Sequence, residues 1–291
     1  MLKSFYNKCN PLNKNKDICN EYLRKIVQIQ KTSINISAII FTYKRPIYFQ
    51  EQLNAIRNQA ISPTEIIVGH LANEKTKNFD FSKVDKIIKF EYDPGIYAKF
   101  ITATAAKGNF IAIFDDDVIP GTQWLENCLN CFRKKEGLYG SFGGRLTRNS
   151  YKGVQKFGGL RHKNDSIEEV DFIGQSWFFP FEYLHYFWKE KPPFYNNAED
   201  IFFSYILQKY ANIKSFITPY PKKDKDLWGS IHPEYGIDKN ALFLRDRWEH
   251  NVLRNEIVRL LIERGWNLIK NKIDNRQRSG TEKAQNKHGR A

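Results

Sequence analysis

The feature that most restricts how this chain can fold is an alternation of short apolar runs with amphipathic stretches between positions 34 and 114. Residues 34–41 read as a buried strand that ends in the polar turn Thr42-Tyr43-Lys44-Arg45. Pro46 then occupies a first helical position, opening a helix with Phe49, Leu53 and Ile56 on its inner face. Residues 65–69 and 86–90 are two further strands. Pro94-Gly95 precedes a helical stretch over 96–107, and a fourth strand over 109–114 ends in Asp115-Asp116-Asp117. Strands that alternate with helices imply an α/β fold with a mostly parallel central sheet flanked by helices. Ligands of such sheets bind beyond the carboxyl ends of the strands. That rule puts Thr42 to Arg45, Gly69 to Asn73 and the aspartate triplet on one rim.

The second half is less regular. Strands are expected over 138–146, 152–160, 170–180 and 213–217, an aromatic helix over 181–188 and another over 201–210. Residues 219–237 mix Pro, Gly and charge as a loop does. Residues 238–265 form a C-terminal helical extension bearing Leu242, Leu253, Ile257 and Leu260. The organisation expected is a basic arm and helix over 1–31, one compact domain over 32–269 and a disordered basic tail over 270–291.

Composition removes some function classes. Aromatic residues make up 15% of the chain, which argues against a disordered protein. No apolar run approaches the roughly 18 residues of a membrane span, and the N-terminus lacks a signal-peptide pattern, so a cytoplasmic protein is expected. Cys128 and Cys131 fall on an apolar helical stripe with Trp124, Leu125 and Phe132, which reads as buried thiols rather than a metal site. The net charge of +14 admits nucleic acid, an anionic membrane surface or phosphorylated small molecules as partners.

Two acidic constellations carry chemistry. Three adjacent carboxylates at a strand end repel one another, and a hard divalent cation completed by phosphate oxygens relieves that repulsion. Asp115 and Asp117 share a side if the extended geometry continues; the alternative is a solvated turn capping a helix that starts near Gly121. In Asn196-Asn197-Ala198-Glu199-Asp200, Asn196 and Glu199 fit a capping box. The second acid equally suits a general base that deprotonates a hydroxyl.

The order of these motifs resembles nucleotide-sugar-dependent glycosyltransferases of the GT-A (Rossmann-like) fold, particularly the family-two-like group, over roughly positions 34–217. Around Asn197-Ala198-Glu199-Asp200-Ile201 it also looks like the exostosin-like transferases, which retain configuration. The resemblance implies a donor-binding set of Thr42, Tyr43, Arg45, Lys99, Asp115 and Asp116, with Lys99 and Arg45 as cationic assistants. It implies Mn2+ or Mg2+ on Asp117, with His232 completing the metal shell from a C-terminal loop. Asp200, with Glu199 beside it, is the implied base of an inverting transfer, and Gln175 and Trp177 stand where the acceptor site begins. The partners implied are a nucleotide sugar, UDP-linked foremost, and a glycan or lipid-linked acceptor.

The acidic residue that the family often places after its second strand is missing here, where Gly69-His70-Leu71-Ala72-Asn73 stands, and so is the Gln-x-x-Arg-Trp signature of processive synthases. Transfer of a single sugar is the expectation. A competing reading of another class is a basic nucleic-acid-binding protein, in which stacking aromatics interleaved with cations track a single strand. The charge distribution opposes it. Residues 1–31 and 270–291 carry +5 each, leaving +4 for the 238 residues between them. Basic ends of this kind suit attachment to the anionic inner face of a membrane, where lipid-linked acceptors reside.

Overall fold

The computed structural model of the protein describes residues 34–42, 46–72, 76–159, 161–238, 241, 244 and 247–270. The expected N-terminal arm and helix, the tail beyond 270, and Tyr43 and Arg45 lie outside the described residues.

Among the described residues nine strands form one sheet: β1 (Ile36–Thr42), β2 (Glu65–Leu71), β3 (Lys86–Phe90), β4 (Phe110–Phe114), β5 (Leu138–Arg145), β6 (Gln155–Gly158), β7 (Glu168–Val170), β8 (Phe172–Pro180) and β9 (Ser215–Ile217). Their order is β3-β2-β1-β4-β8-β5-β9-β7, with β6 also on β5. The first four run parallel, as the alternation predicts, with Ile40 level with Val68 on β2 and Phe114 on β4. β8 joins antiparallel, so Phe114 at the end of β4 faces Ser176. β5 pairs with β8 on one edge; β9 and β6 take successive halves of the other.

Among the described residues, five α-helices accompany the sheet: α1 (Phe49–Arg57), α2 (Ala98–Ala103), α3 (Trp124–Lys134), α4 (Glu199–Ala211) and α5 (Arg247–Glu263). β1 is buried along nearly its whole length, which is why it reads as an uninterrupted apolar run. α1 buries Phe49, Leu53 and Ile56, the stripe read from the sequence. α3 packs on β4 through Trp124 against Phe114 (5.2 Å) and Phe132 against Phe110 (5.1 Å). Cys128 and Cys131 are free and buried on this helix. On the α2 and α4 side, Phe100 stacks on Phe187 at 4.3 Å and meets Phe203 at 5.1 Å.

Several elements differ from expectation for local reasons. The helix expected over 96–107 is a 3-10 turn, Gly95–Tyr97, followed by α2. Beyond Ala103 the amides of Thr104, Ala105 and Ala106 bond three residues back, to Ile101, Thr102 and Ala103 O, and side chains of β2 and β1 take the two that follow: Lys107 N donates to Glu65 Oε1 (2.6 Å) and Gly108 N to Ser37 Oγ (2.8 Å). The run expected over 170–180 divides at Asp171, whose carboxylate accepts from Leu146 N (2.7 Å) and Ile269 N (2.9 Å). The aromatic segment Phe181–Trp188 is 3-10 rather than α. Of the stripe expected on the C-terminal helix, Ile257 is buried, Leu253 and Leu260 are half-buried and Leu242 lies outside the described residues; the buried stripe of α5 is Arg254, Ile257, Val258 and Leu261.

Gly69, near the end of β2, tests how tightly this rim is packed. A Cβ there would stand 2.3 Å from Thr102 Oγ1 and 2.8 Å from the Phe41 ring. Gly69→Ala is expected to lower stability by about 1–3 kcal/mol through overpacking. Urea denaturation measures it, and adding Thr102→Ala to Gly69→Ala should recover part of the loss.

Candidate functional site

The carboxyl ends of β1 and β4, the N-terminus of α4 and the inner face of α5 surround a cleft of about 910 Å3. Lys99, Asp115, Asp116, Asp117, Gln175, Glu199 and Asp200, seven of the residues singled out from the sequence, line it together.

The aspartate triplet is shaped from below. Gln52, buried on α1, donates from Nε2 to the carbonyls of Asp115 (2.6 Å) and Val118 (2.8 Å), and Val118 N donates back to Asp115 O at 3.1 Å. This turn ends the extended geometry at Asp115, so strand alternation does not carry to Asp117. Asp115 faces α2, where Lys99 Nζ donates to Asp115 Oδ1 at 2.5 Å and to Glu199 Oε1 at 2.9 Å. Asp117 faces the 3-10 turn Pro233–Gly236, and a Cβ on Gly236 would lie 3.1 Å from Asp117 Oδ2.

The lysine is the hub of the acidic half. Its ammonium sits 4.1 Å from the centroid of the Trp177 ring, and its side chain is 8% exposed. Burial alone would pull its pKa down, but the carboxylates of Asp115 and Glu199 outweigh burial and raise it. Burial pushes the Asp115 carboxyl up, and the neighbouring Asp117 and Glu199 push the same way, against Lys99.

Asp200 is held separately. Arg254 grips it with both terminal nitrogens, Nη1 to Oδ1 at 3.1 Å and Nη2 to Oδ2 at 2.7 Å. The guanidinium lies 4.4 Å from the Tyr151 ring centroid. Beside it His250 accepts from Asn197 Nδ2 at 3.2 Å, and its pKa is lowered to about 4, by burial first and then by the Arg254 charge. Gly174 faces the carboxylate: a Cβ there would be 3.5 Å from Asp200 Oδ2. Two residues with left-handed backbones flank the acids, Gln175 at φ 68 and Ala198 at φ 60. Neither is glycine, so both conformations are held by their surroundings. Ala198 is the N-cap of α4, and its own side chain makes no capping hydrogen bond. The capping box expected of Asn196 and Glu199 is not formed: Ala198 rather than Asn196 is the N-cap, and Glu199 turns to Lys99.

The remaining sequence candidates lie elsewhere. Thr42 is buried, with Oγ1 2.8 Å from His70 Nδ1, and Phe41 rather than Thr42 lines the cleft. Trp177 is 1% exposed and forms the floor under Lys99 rather than a surface for a sugar. His232 turns toward Glu234 (3.1 Å) and Glu51 (3.7 Å) and stacks on Tyr235 at 4.8 Å. Among the described residues no three His, Cys, Asp or Glu side chains gather as a ready metal shell. The donors that face the cleft are carboxylate oxygens, and Gly236 keeps space at Asp117 Oδ2. That set fits a hard divalent cation that keeps phosphate and water oxygens as its other ligands.

Sequence reading missed Arg254, Gln52 and His250. The signal for Arg254 was present: it opens an i, i+3, i+4, i+7 stripe that is otherwise Ile257, Val258 and Leu261.

Removing the guanidinium strands a poorly exposed carboxylate, so Arg254→Met should cost about 3–5 kcal/mol. Arg254→Met combined with Asp200→Asn should be markedly less destabilised, and a double-mutant cycle by chemical denaturation reads the coupling. His250 supplies a pH dependence. Its folded pKa lies below the unfolded value, so the unfolded chain binds the extra proton between about pH 6.5 and 4. Its contribution is complete above that window and lost as pH falls through it. After allowance for solvent screening the loss is on the order of 1–2 kcal/mol. Melting of His250→Asn should fall less steeply than wild type across the same window.

No protein-family model matches the chain, and no curated protein does. Among solved structures it is similar to S. aureus TarS, at 18% identity over 69% of this chain and 38% of that one, with a TM-score of 0.46. S. aureus TarS 1-349 in complex with UDP gives 17% identity over 64% of this chain and 59% of that one, also at 0.46. GalNAc-T7 with UDP, GalNAc and Mn2+ gives 12% identity over 69% and 46% at a TM-score of 0.52. The chain thus spans less than two thirds of the length of each of these structures. The likeness to GalNAc-T7 is one of fold, and the fold is the GT-A-type α/β arrangement that the motifs implied.

Proposed function

We propose that the protein is a glycosyltransferase that moves one sugar from a nucleotide-sugar donor to a hydroxyl of a glycan or lipid-linked acceptor. One observation carries this reading: a lysine-organised acid cluster at the end of β4 and a separate, arginine-held carboxylate at the start of α4 face one cleft. A fold shared with GalNAc-T7, solved with UDP, GalNAc and Mn2+, supports a UDP-linked donor. The motif order supports the family-two-like group within that fold.

The geometry supports a division of labour. Lys99 is committed to Asp115 and Glu199, so it fixes the acid cluster and offsets part of its negative charge at the donor end of the cleft. Asp116 and Asp117 are the residues that would hold Mn2+ or Mg2+. When bound, that ion supplies Lewis-acid stabilisation of the charge on the departing diphosphate. Asp200 is the base: Arg254 fixes its plane, and the missing side chain at Gly174 leaves its Oδ2 approachable. The acceptor oxygen bonds to the anomeric carbon, the carbon–oxygen bond to the diphosphate breaks, and the hydroxyl proton passes to Asp200. This route inverts configuration.

A second reading has its own observation. Both Asp200 oxygens accept from Arg254, and Oδ1 also accepts from Ile201 N at 2.8 Å, so the carboxylate is well occupied. A positioning role for Asp200 in a retaining transfer suits that occupancy, as the exostosin-like motif around it does. Attachment of the basic ends to an anionic membrane belongs to the same proposal, at about 1 kcal/mol per basic residue near the surface. No described helix is long and apolar enough to cross a membrane.

A panel of nucleotide sugars with Mn2+, read by nucleoside diphosphate release and by ligand-dependent melting, tests the reading. Asp117→Asn should abolish metal-dependent release while the protein stays folded, and full activity in that variant would sink the metal role. Asp200→Asn should reduce turnover by about 10²–10⁴-fold. Proton NMR of the new anomeric centre separates inversion from retention.

A further inference from the structure

The cleft carries acid at one end and base at the other. Lys156 on β6 and Arg161 and His162 just after it line the wall opposite the aspartate triplet. All three are exposed, and neither Lys156 nor Arg161 makes an ion pair among the described residues. Their mutual proximity shows in His162, whose pKa is lowered by burial and then by the charges of Lys156 and Arg161.

The wall is built rather than loose. Gly158 bridges His162, Lys163 Nζ donates to Gly159 O at 2.8 Å, and Asn164 bridges Tyr220. Lys163 in turn lies 3.3 Å from the Trp228 ring centroid, on a Trp228–Tyr220 stack with centroids 4.7 Å apart.

Sheet register fixes where this wall stands. Gly174, which faces Asp200, is level with Phe142 on β5, and Phe142 is level with Gly158 on β6. The basic wall is therefore two strand spacings, about 10 Å, from the Gly174 side of the Asp200 site. The aspartate triplet lies on the other side of β8, at the end of β4. Asp200 stands between the two ends, so a diphosphate held by the triplet does not account for the cations.

We propose that the β6 wall recognises an oxyanion, carboxylate or phosphoryl, carried by the acceptor about one to two sugar units from the hydroxyl that reacts. This inference rests on the transferase reading and names the chemistry of its acceptor. Arg161 suits a planar or tetrahedral oxyanion through its forked donors, and Lys156 adds a point charge.

The test compares the full-length wild type with Lys156→Ala/Arg161→Ala, so that the basic ends contribute equally to both. Probes are a tetrasaccharide with alternating uronic acids, an oligomer of glycerol phosphate, phosphatidylglycerol vesicles, and neutral maltotetraose; UDP with Mn2+ is titrated separately. The wild type should bind at least one anionic probe tenfold or more tightly than maltotetraose. The double variant should lose that preference and keep its affinity for UDP. A preference confined to the vesicles and lost in the variant identifies a lipid headgroup as the source of the anion; one held by the soluble oligomers identifies the glycan. Equal anion binding by wild type and variant overturns the proposal, and so does a parallel loss of UDP binding. Wild-type protein that holds the anionic oligomer but no UDP overturns the transferase reading and leaves the anion site standing.

Discussion

Lys99 is the interaction on which the site's architecture depends. It reaches Asp115 at the end of the parallel half of the sheet and Glu199 at the start of a helix 100 residues further along. Charges this poorly exposed are costly to desolvate, and each is tolerable because the others are present. The result joins the two halves of the domain electrostatically where the cleft opens. Trp177 holds the ammonium from beneath, so the hub cannot retreat into the sheet without displacing a core aromatic ring.

The parallel half of the fold is legible in the sequence because its signals are local. β1 and β4 are apolar on both faces, α1 carries a clean stripe, and punctuation at Pro46 and Pro94-Gly95 marks the boundaries. The acids were legible for the same reason: a triplet after a buried strand, and an acid pair before a helix. What escaped reading is non-local. Thr42 looks like a rim residue until His70, 28 positions away, turns its hydroxyl inward. Arg254 looks like surface charge until a partner 54 positions earlier makes it a core residue. The direction of His232 is set by Glu51, Glu234 and Tyr235, of which Glu51 lies far away in sequence.

Backbone strain concentrates where chemistry is proposed. Gln175 accepts from Asp115 N through its carbonyl while its own Oε1 is buried without a partner among the described residues. Ala198 makes the abrupt entry into α4 that presents two adjacent acids in different directions, one toward Lys99 and one toward Arg254. A glycine at either position would relax the backbone, and an extended residue would aim the carboxylates elsewhere. Side-chain identity and backbone conformation are thus selected together at this cleft.

Asp171 sets a limit of another kind. Its two carboxylate oxygens accept amides from Leu146, at the end of β5, and from Ile269, beyond the last long helix. One buried side chain therefore closes a loop through nearly a hundred residues. Any shortened chain that stops before Ile269 leaves half of that carboxylate without its amide in the interior. The cooperative unit accordingly extends past α5, and a protease cutting between Trp266 and Ile269 would disturb strands far from the cut.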